Sequence, residues 1–345
     1  MALKRPYEIA YIRHESIENL FIQIICENGI DGLGAGSPSL HVTGEVIDED
    51  LKSREEDLSE WLVGKDIRAY RGLIDEMHLR YAKQPALCAS IDMALHDAFC
   101  KLIKVPLLAM LGQKVKPLPT SVTIGIESVE ETVALGEEFV SEGFRIIKLK
   151  IGLDPEEDIE RFIRLREAVG NHILIRVDAN QGFTPEEFTK FVEKTKRFEV
   201  EFFEQPFVPG RKDWMNALDK EIQKDCAADE DLHKLDDAIN LIDGGNPFGI
   251  FNIKLMKCGG VAEALEIASI AARKDIGLMW GCMDESAISI SASLQTALAC
   301  EATKYLDLDG NFDLAKDIVT GGYTLKDGIL YPLMDKPGLG VTLMT

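Results

Sequence analysis

The 345-residue chain has no stretch approaching the ~18 to 20 apolar residues of a membrane-spanning helix, and its opening residues carry no apolar signal core. Both absences argue against membrane insertion and export. Cations are scarce: 38 Lys and Arg stand against 59 Asp and Glu, a formal net charge of −21. The clustered positive charge that nucleic acid or anionic lipid requires is therefore missing, and neither is expected as a partner. The seven cysteines (26, 88, 100, 226, 258, 282 and 300) form no CxxC pair and are odd in number. That pattern argues against a disulfide framework or a zinc site and favours a reducing, cytoplasmic setting. A glycine-rich phosphate loop is absent, since Cys258 is followed only by Gly259-Gly260. The six histidines (14, 41, 78, 96, 172 and 233) all lie away from the strand ends discussed below and read as surface or core residues.

The length suffices for a barrel plus a second, smaller domain. Residues 18–36 read as two strands around the Asn28-Gly29 turn. From about 48 to 113 the pattern is helical and ends with ALCASIDMALHDAFCKLI, whose apolar residues recur at three and four. From Thr120 strand-like runs alternate with helical ones: SVTIGI, RIIKLKIG, ILIRVDAN, VEFFEQP, DCAADE, GIFNIKLMKCGG, GLMWGCMDES and YLDLDG are separated by helices near 128–142, 155–169, 184–197, 211–223, 231–242, 260–274 and 286–301. The expected fold is an α/β (β/α)₈ barrel of the TIM type over 116–310. An α+β capping domain is expected over 1–115, with a 311–345 tail that returns to it.

Lys150, Asp178, Glu204, Asp229 and Lys254 follow one another at intervals of 28, 26, 25 and 25 residues, each closing an apolar run. One strand, loop and helix per interval places each at the C-terminal end of a barrel strand, where TIM-barrel chemistry sits. Three carboxylates on consecutive strands suit a hard divalent cation such as Mg²⁺, with one ion expected per subunit. The strand period of two puts Lys148 and Lys150 on the inward face of the second strand, and Asn252 and Lys254 on that of the sixth, with Lys257 in the loop beyond. Second and sixth strands oppose each other in an eight-membered ring. A planar carbanion between Lys150 and Lys254 would then meet one amine on each face, the geometry of a two-base 1,1-proton transfer through an enediolate. The cation and neighbouring ammonium groups are expected to depress the lysine pKa values. Asn180 and Gln205 follow the ligands and can orient them, and Glu230 can pair with Lys254. Asp307 and Asp309, spaced by two on the last strand, face the metal from across the ring and suggest recognition of a positive group on the substrate.

In these residues the chain resembles the enolase superfamily, specifically its muconate lactonizing enzyme subgroup. SIDMALHDAFCKL is similar to that group's linking helix, and KLK, VDAN, EQP, ADE and NIKLMKCGG are similar to its strand-end motifs in order. The resemblance implies Mg²⁺ on Asp178, Glu204 and Asp229, acid/base lysines at 150 and 254, and a capping domain built from both termini. TIGI, NIKLMKCGG and the Asp307/Asp309 pair are similar to the dipeptide epimerases, in which the aspartate pair binds the substrate's α-ammonium group. Glu285 also matches the subgroup. One departure stands out: few residues precede PYEIAY, so the family's first strand is expected to be shortened or absent.

Arg13, in the first capping loop near residues 6–15, suits a side-chain carboxylate. SPSLHVTGE lies in the second loop; since L-Ala-D/L-Glu is the common substrate of the family that the chain resembles, the resemblance together with Arg13 makes it the expected substrate and the metabolism of peptidoglycan peptides the expected setting. A hydrophobic or D-Ala-containing dipeptide stays open. So do o-succinylbenzoate synthesis and N-acylamino acid racemisation, against which the Asp307/Asp309 pair argues, and a non-catalytic binding barrel, against which the full set of strand-end groups argues. The sequence leaves the oligomeric state, including a homo-oligomer, undetermined.

Overall fold

The structure, a computed structural model, describes residues 1–9, 12–46, 51–243 and 245–344; the side chains of 5–9, 12–15 and 51–54 fall outside that description. Among the described residues, eight parallel strands form one sheet in sequence order. They are β1 Val122–Ile124, β2 Ile146–Lys150, β3 Leu174–Asp178, β4 Val200–Glu204, β5 Cys226–Ala228, β6 Ile250–Ile253, β7 Gly277–Trp280 and β8 Thr303–Leu306. A parallel bridge between Thr120 and Leu306 joins the last strand to the approach to the first and closes the ring. No helix among the described residues is long and apolar enough to cross a membrane.

Alternation along each strand sorts its side chains. Ile147, Leu149, Ile175 and Val177 point outward into the helix layer and are fully buried there. Their inward neighbours build the barrel interior in layers. Phe202, Ala227, Ile250 and Met279, with Tyr305 against them, form an apolar floor. Arg176 lies over it, its guanidinium carbon 5.1 Å from the Phe202 ring centre and 5.3 Å from that of Tyr305. Two residues further along each strand come Lys148, Asp178, Glu204, Asn252 and Asp307. Chain polarity thus carries the interior from apolar at the floor to charged at the C-terminal rim.

The barrel helices largely match the sequence pattern. Thr184 and Asp154 cap the helices Pro185–Thr195 and Pro155–Val169, each with proline at its first position. Two helices differ from expectation. The one expected near 211–223 breaks into Lys212–Ala217 and Lys220–Lys224, because Leu218 is extended and its carbonyl accepts a hydrogen bond from the Gln223 side chain. The one expected from 231 begins at Leu235, since Asp237 accepts from the backbone of His233 and Lys234 and fixes the start there.

The first capping strand, expected to be shortened or absent, is present: Ala2–Ile9 forms a strand antiparallel to Ile12–Ser16. It lies against the chain just after the barrel, with Lys4 N donating to the Asp313 carbonyl at 2.7 Å. The hairpin Leu20–Ile25/Asp31–Gly36 lies on the linking helix Pro85–Ile103. Gly32, Gly34 and Gly36 face the carbonyls of Ala94, Ser90 and Ala86. Two residues of strand and four of helix advance by about the same 6 to 7 Å, so glycine is needed at every second strand position. A Cβ on Gly34 would overlap the Ser90 carbonyl. Gly34→Ala is expected to lower stability by about 1 to 3 kcal/mol in denaturant unfolding; an unchanged midpoint would contradict this packing.

Candidate active site

Asp178 and Glu204 are direct register partners across β3 and β4, and Lys150 is the partner of Asp178 across β2 and β3. Asp229 lies one residue beyond β5. Adjacent pairing brings these groups, the three carboxylates deeply buried and Lys150 partly so, into one charged layer. Lys148 Nζ lies 3.0 Å from Asp178, 2.8 Å from Glu204 and 2.8 Å from Asp307. Lys150 Nζ donates to Asp178 Oδ2 at 2.7 Å and to Asn180 Oδ1 at 2.9 Å. Lys254 Nζ donates to Asp229 Oδ2 at 2.6 Å. Lys257, expected in a loop, is instead buried and bonds both the carboxylate of Asp229 and its carbonyl oxygen.

The backbone turns sharply after these strands. Asn180, Gln181 and Gln205 have φ of 40°, 71° and 35°, left-handed conformations that non-glycine residues adopt at a cost. Side chains stabilise those turns. Gln205 Oε1 accepts from the backbone of Asp229 at 2.9 Å and of Asp231 at 3.2 Å, and Asn180 N donates to Asp178 Oδ1 at 2.9 Å. Glu230, expected near Lys254, accepts from Asn180 Nδ2 at 3.3 Å.

Charge sorting shows in the protonation preferences. Burial opposes the charged form of Lys148, but Asp178, Asp307 and Glu204 outweigh it and hold the ammonium well above its usual range. Burial works against Asp178 and Asp229 as well; the lysines outweigh it and hold both low. Glu204 goes the other way, pushed up to about 8 by burial and then by Asp178, with Lys148 offsetting only part. The depression expected for Lys254 is not found: burial lowers it, while Asp229 and Glu204 raise it by more. The expectation counted a cation's repulsion, whereas here the carboxylates act on the lysine directly.

As they stand, these carboxylates are turned to ammonium groups, and among the described residues no three acidic, His or Cys side chains form a ready ligand cluster. The donor chemistry nevertheless suits Mg²⁺, with carboxylate oxygens on adjacent strands. Glu204 Oε2 is buried without a hydrogen bond, its near neighbour being the Lys148 charge, and Asn252 Oδ1 beside it is likewise without a donor. Such unsatisfied buried oxygens are uncommon in folded proteins, and an oxygen-seeking ion on this layer would engage them.

Above the layer opens a cavity of 570 Å³. Lys148, Lys150, Asp229, Glu230, Lys254, Asp307 and Asp309 reach it from the barrel; residues 16–18 and 37–42 close it from the capping layer. Asp307 and Asp309 share a face as expected but differ in surroundings. Asp307 bonds Lys148 and the Ser121 hydroxyl, and those partners hold it low against the effect of burial. Asp309 accepts from Thr123 N at 2.7 Å, and burial and the charge of Asp307 push it up to about 7. Glu285 lies beneath the wall, its Oε1 accepting from Met283 N at 2.9 Å, and burial raises it to about 7. The Arg13 side chain lies outside the described residues. Sequence reading missed His41, which lines the cavity from the second capping loop, and the lining carboxylates Glu18, Glu127, Asp284 and Asp313. Glu18, Asp284 and Asp313 flank elements that were recognised, but no strand or helix period marks which loop residue turns inward.

Comparison with known proteins places this architecture. Residues 1–112 match the mandelate racemase/muconate lactonizing enzyme N-terminal domain, and residues 131–345 match the enolase C-terminal domain-like family. The chain belongs to the mandelate racemase/muconate lactonizing enzyme family. It is 49% identical over 341 residues to an L-Lys-D/L-Arg epimerase of Desulforapulum autotrophicum, covering 99% of this chain and 96% of that one. It is 29% identical to an L-Ala-D/L-Glu epimerase of Clostridium acetobutylicum, covering 98% and 95%. A dipeptide epimerase from Methylococcus capsulatus, solved with Mg and the dipeptide L-Arg-D-Lys, superposes with a TM-score of 0.96 at 47% identity, covering 99% and 96%. Within this family frame the two aspartates that follow β8 are separable by experiment. Asp307→Asn strands part of the Lys148 charge and is expected to cost about 3 to 5 kcal/mol of unfolding free energy. Asp309→Asn, which removes no ion pair, is expected to cost less, and the reverse order in denaturant titration would contradict the assignment.

Proposed function

We propose that the protein is a Mg²⁺-dependent dipeptide epimerase that inverts the α-carbon of the C-terminal residue of a dipeptide with cationic side chains. The observation that carries the reaction is the placement of Lys150 and Lys254 at the C-terminal ends of β2 and β6, four strands apart in the ring, with Asp178, Glu204 and Asp229 at the ends of the strands between them. A Mg²⁺ held by those three carboxylates would supply positive charge beside the substrate's carboxylate and would compete for the negative charge that now holds Lys254 protonated. The chain's own residues do the rest. Lys150 and Lys254 address opposite faces of the α-carbon: one removes its proton, and the other, protonated, returns one from the far side. Lys148, kept charged by its ring of carboxylates, contributes a fixed positive charge where negative charge develops. Asp309, at the cavity wall and bound to Thr123 N, is placed to accept the substrate's α-ammonium group.

The cavity's charge supports the cationic reading. Beyond the strand-end groups its lining carries Glu18, Glu127, Asp284 and Asp313, with His41 as the titratable base among the described residues there. L-Ala-D/L-Glu, the substrate expected earlier, would bring a second, side-chain carboxylate into this acidic surround. The 49% identity to an L-Lys-D/L-Arg epimerase supports the same choice. Chelation is expected to abolish epimerisation of L-Arg-L-Lys and added Mg²⁺ to restore it; full turnover after chelation would remove the metal from the account. For kcat/KM, L-Arg-L-Lys is expected to exceed L-Ala-L-Glu by about tenfold to a hundredfold for each matched charge. Its KM should also rise with ionic strength. Preference for L-Ala-L-Glu would restore the earlier substrate.

A further inference from the structure

We infer that Asp92, on the linking helix of the capping layer, is a positioning residue for Lys254 and not for Lys150. This deepens the two-base reading above and rests on it. Asp92 is fully buried, and its barrel partners Val261 and Ala262 lie 169 and 170 residues further along the chain. Its carboxylate accepts from Val261 N at 2.8 Å and Ala262 N at 3.2 Å, the first two backbone donors of the barrel helix Val261–Arg273. That helix has no cap of its own, because its N-cap residue is Gly260. A carboxylate borrowed from another domain thus satisfies its end and meets the positive pole of its dipole.

The path from this contact to Lys254 is short and fully bonded. The Lys254 carbonyl accepts from Lys257 N at 3.0 Å and Cys258 N at 3.3 Å, and the Leu255 carbonyl accepts from Gly259 N and Gly260 N at 3.0 and 3.1 Å. The segment 254–260 is therefore one rigid turn, with the lysine at its start and the Asp92 contact at its end. Gly259 and Gly260 have φ of 85° and 125°, and a Cβ on Gly260 would overlap the Asp92 carboxylate, so the glycine exists to let that carboxylate in. His96, one helical turn away, packs beside it, its Nδ1 2.9 Å from the Asp92 carbonyl oxygen and 3.0 Å from Oδ1.

Among the described residues, no equivalent contact reaches Lys150 from the capping layer. The loop after β2 is tied within the barrel, Arg161 donating to the Lys150 carbonyl at 3.1 Å and Gly152 N to Asp158 at 2.7 Å. Loss of the Asp92 contact should therefore displace one base and leave the other in place, whereas a general loss of stability would affect both.

The test follows α-proton exchange of L-Arg-L-Lys and L-Arg-D-Lys in D₂O with the Mg²⁺-loaded enzyme. Lys150→Ala and Lys254→Ala first establish which epimer each lysine deprotonates. Asp92→Asn is expected to slow exchange of the Lys254 epimer on the order of tenfold or more, and to leave that of the Lys150 epimer within about twofold, as a small displacement of one base would. Gly260→Ala crowds the same carboxylate from the barrel side and should give the same asymmetry, which keeps the question answerable if Asp92→Asn does not fold. An equal fall for both epimers, or no change for either, overturns the inference. If the lysine variants do not divide the epimers between them, the two-base reading has failed in its own controls, and the inference falls with it.

Discussion

Every other feature of this site depends on the need to neutralise buried charge. Lys148, Lys254 and Lys257 lie with Asp178, Glu204, Asp229 and Asp307 in a layer almost closed to water, where an isolated charge would cost several kcal/mol even after relaxation. The layer persists because each ammonium group touches carboxylates and each carboxylate touches ammonium or backbone donors. Lys148, with three acidic partners, is its centre. The resulting mutual dependence makes single changes expensive and also keeps the groups where chemistry needs them.

Barrel geometry makes such a layer possible. Parallel register sets Asp178 beside Glu204 without any loop deciding it, and the alternation that sends Leu149 and Val177 outward sends Lys148, Lys150 and Asp178 inward. The apolar floor of Phe202, Ala227, Ile250 and Met279 closes the barrel below, so the charged groups open only upward, to the cavity under the capping loops.

That division explains how far the sequence could be read. Side chains governed by strand period were legible: the fold and the placement of Lys148, Lys150, Asp178, Glu204, Asp229, Lys254, Asp307 and Asp309 follow from spacing and parity. Features that depend on contacts between distant segments were not. The burial of Lys257 comes from a short helical turn, Leu255–Cys258, inside a stretch that reads as a loop. The rise in Lys254's proton affinity comes from carboxylates on neighbouring strands whose distances no spacing supplies. The acidic lining comes from loops of both layers, where no strand or helix period marks which side chain turns inward. The strand Ala2–Ile9 was missed because its partners, Ile12–Ser16 and the chain near Asp313, are not marked by a local alternation.

The central claim is that two lysines serve opposite faces of one carbon. The most direct measurement is single-turnover NMR of the Lys254→Ala enzyme in D₂O with each epimer of L-Arg-Lys supplied separately. The account predicts deuterium at the α-carbon of one epimer with its configuration retained, no deuterium in the other, and no interconversion. Deuterium appearing in both epimers, or continued epimerisation, would contradict it.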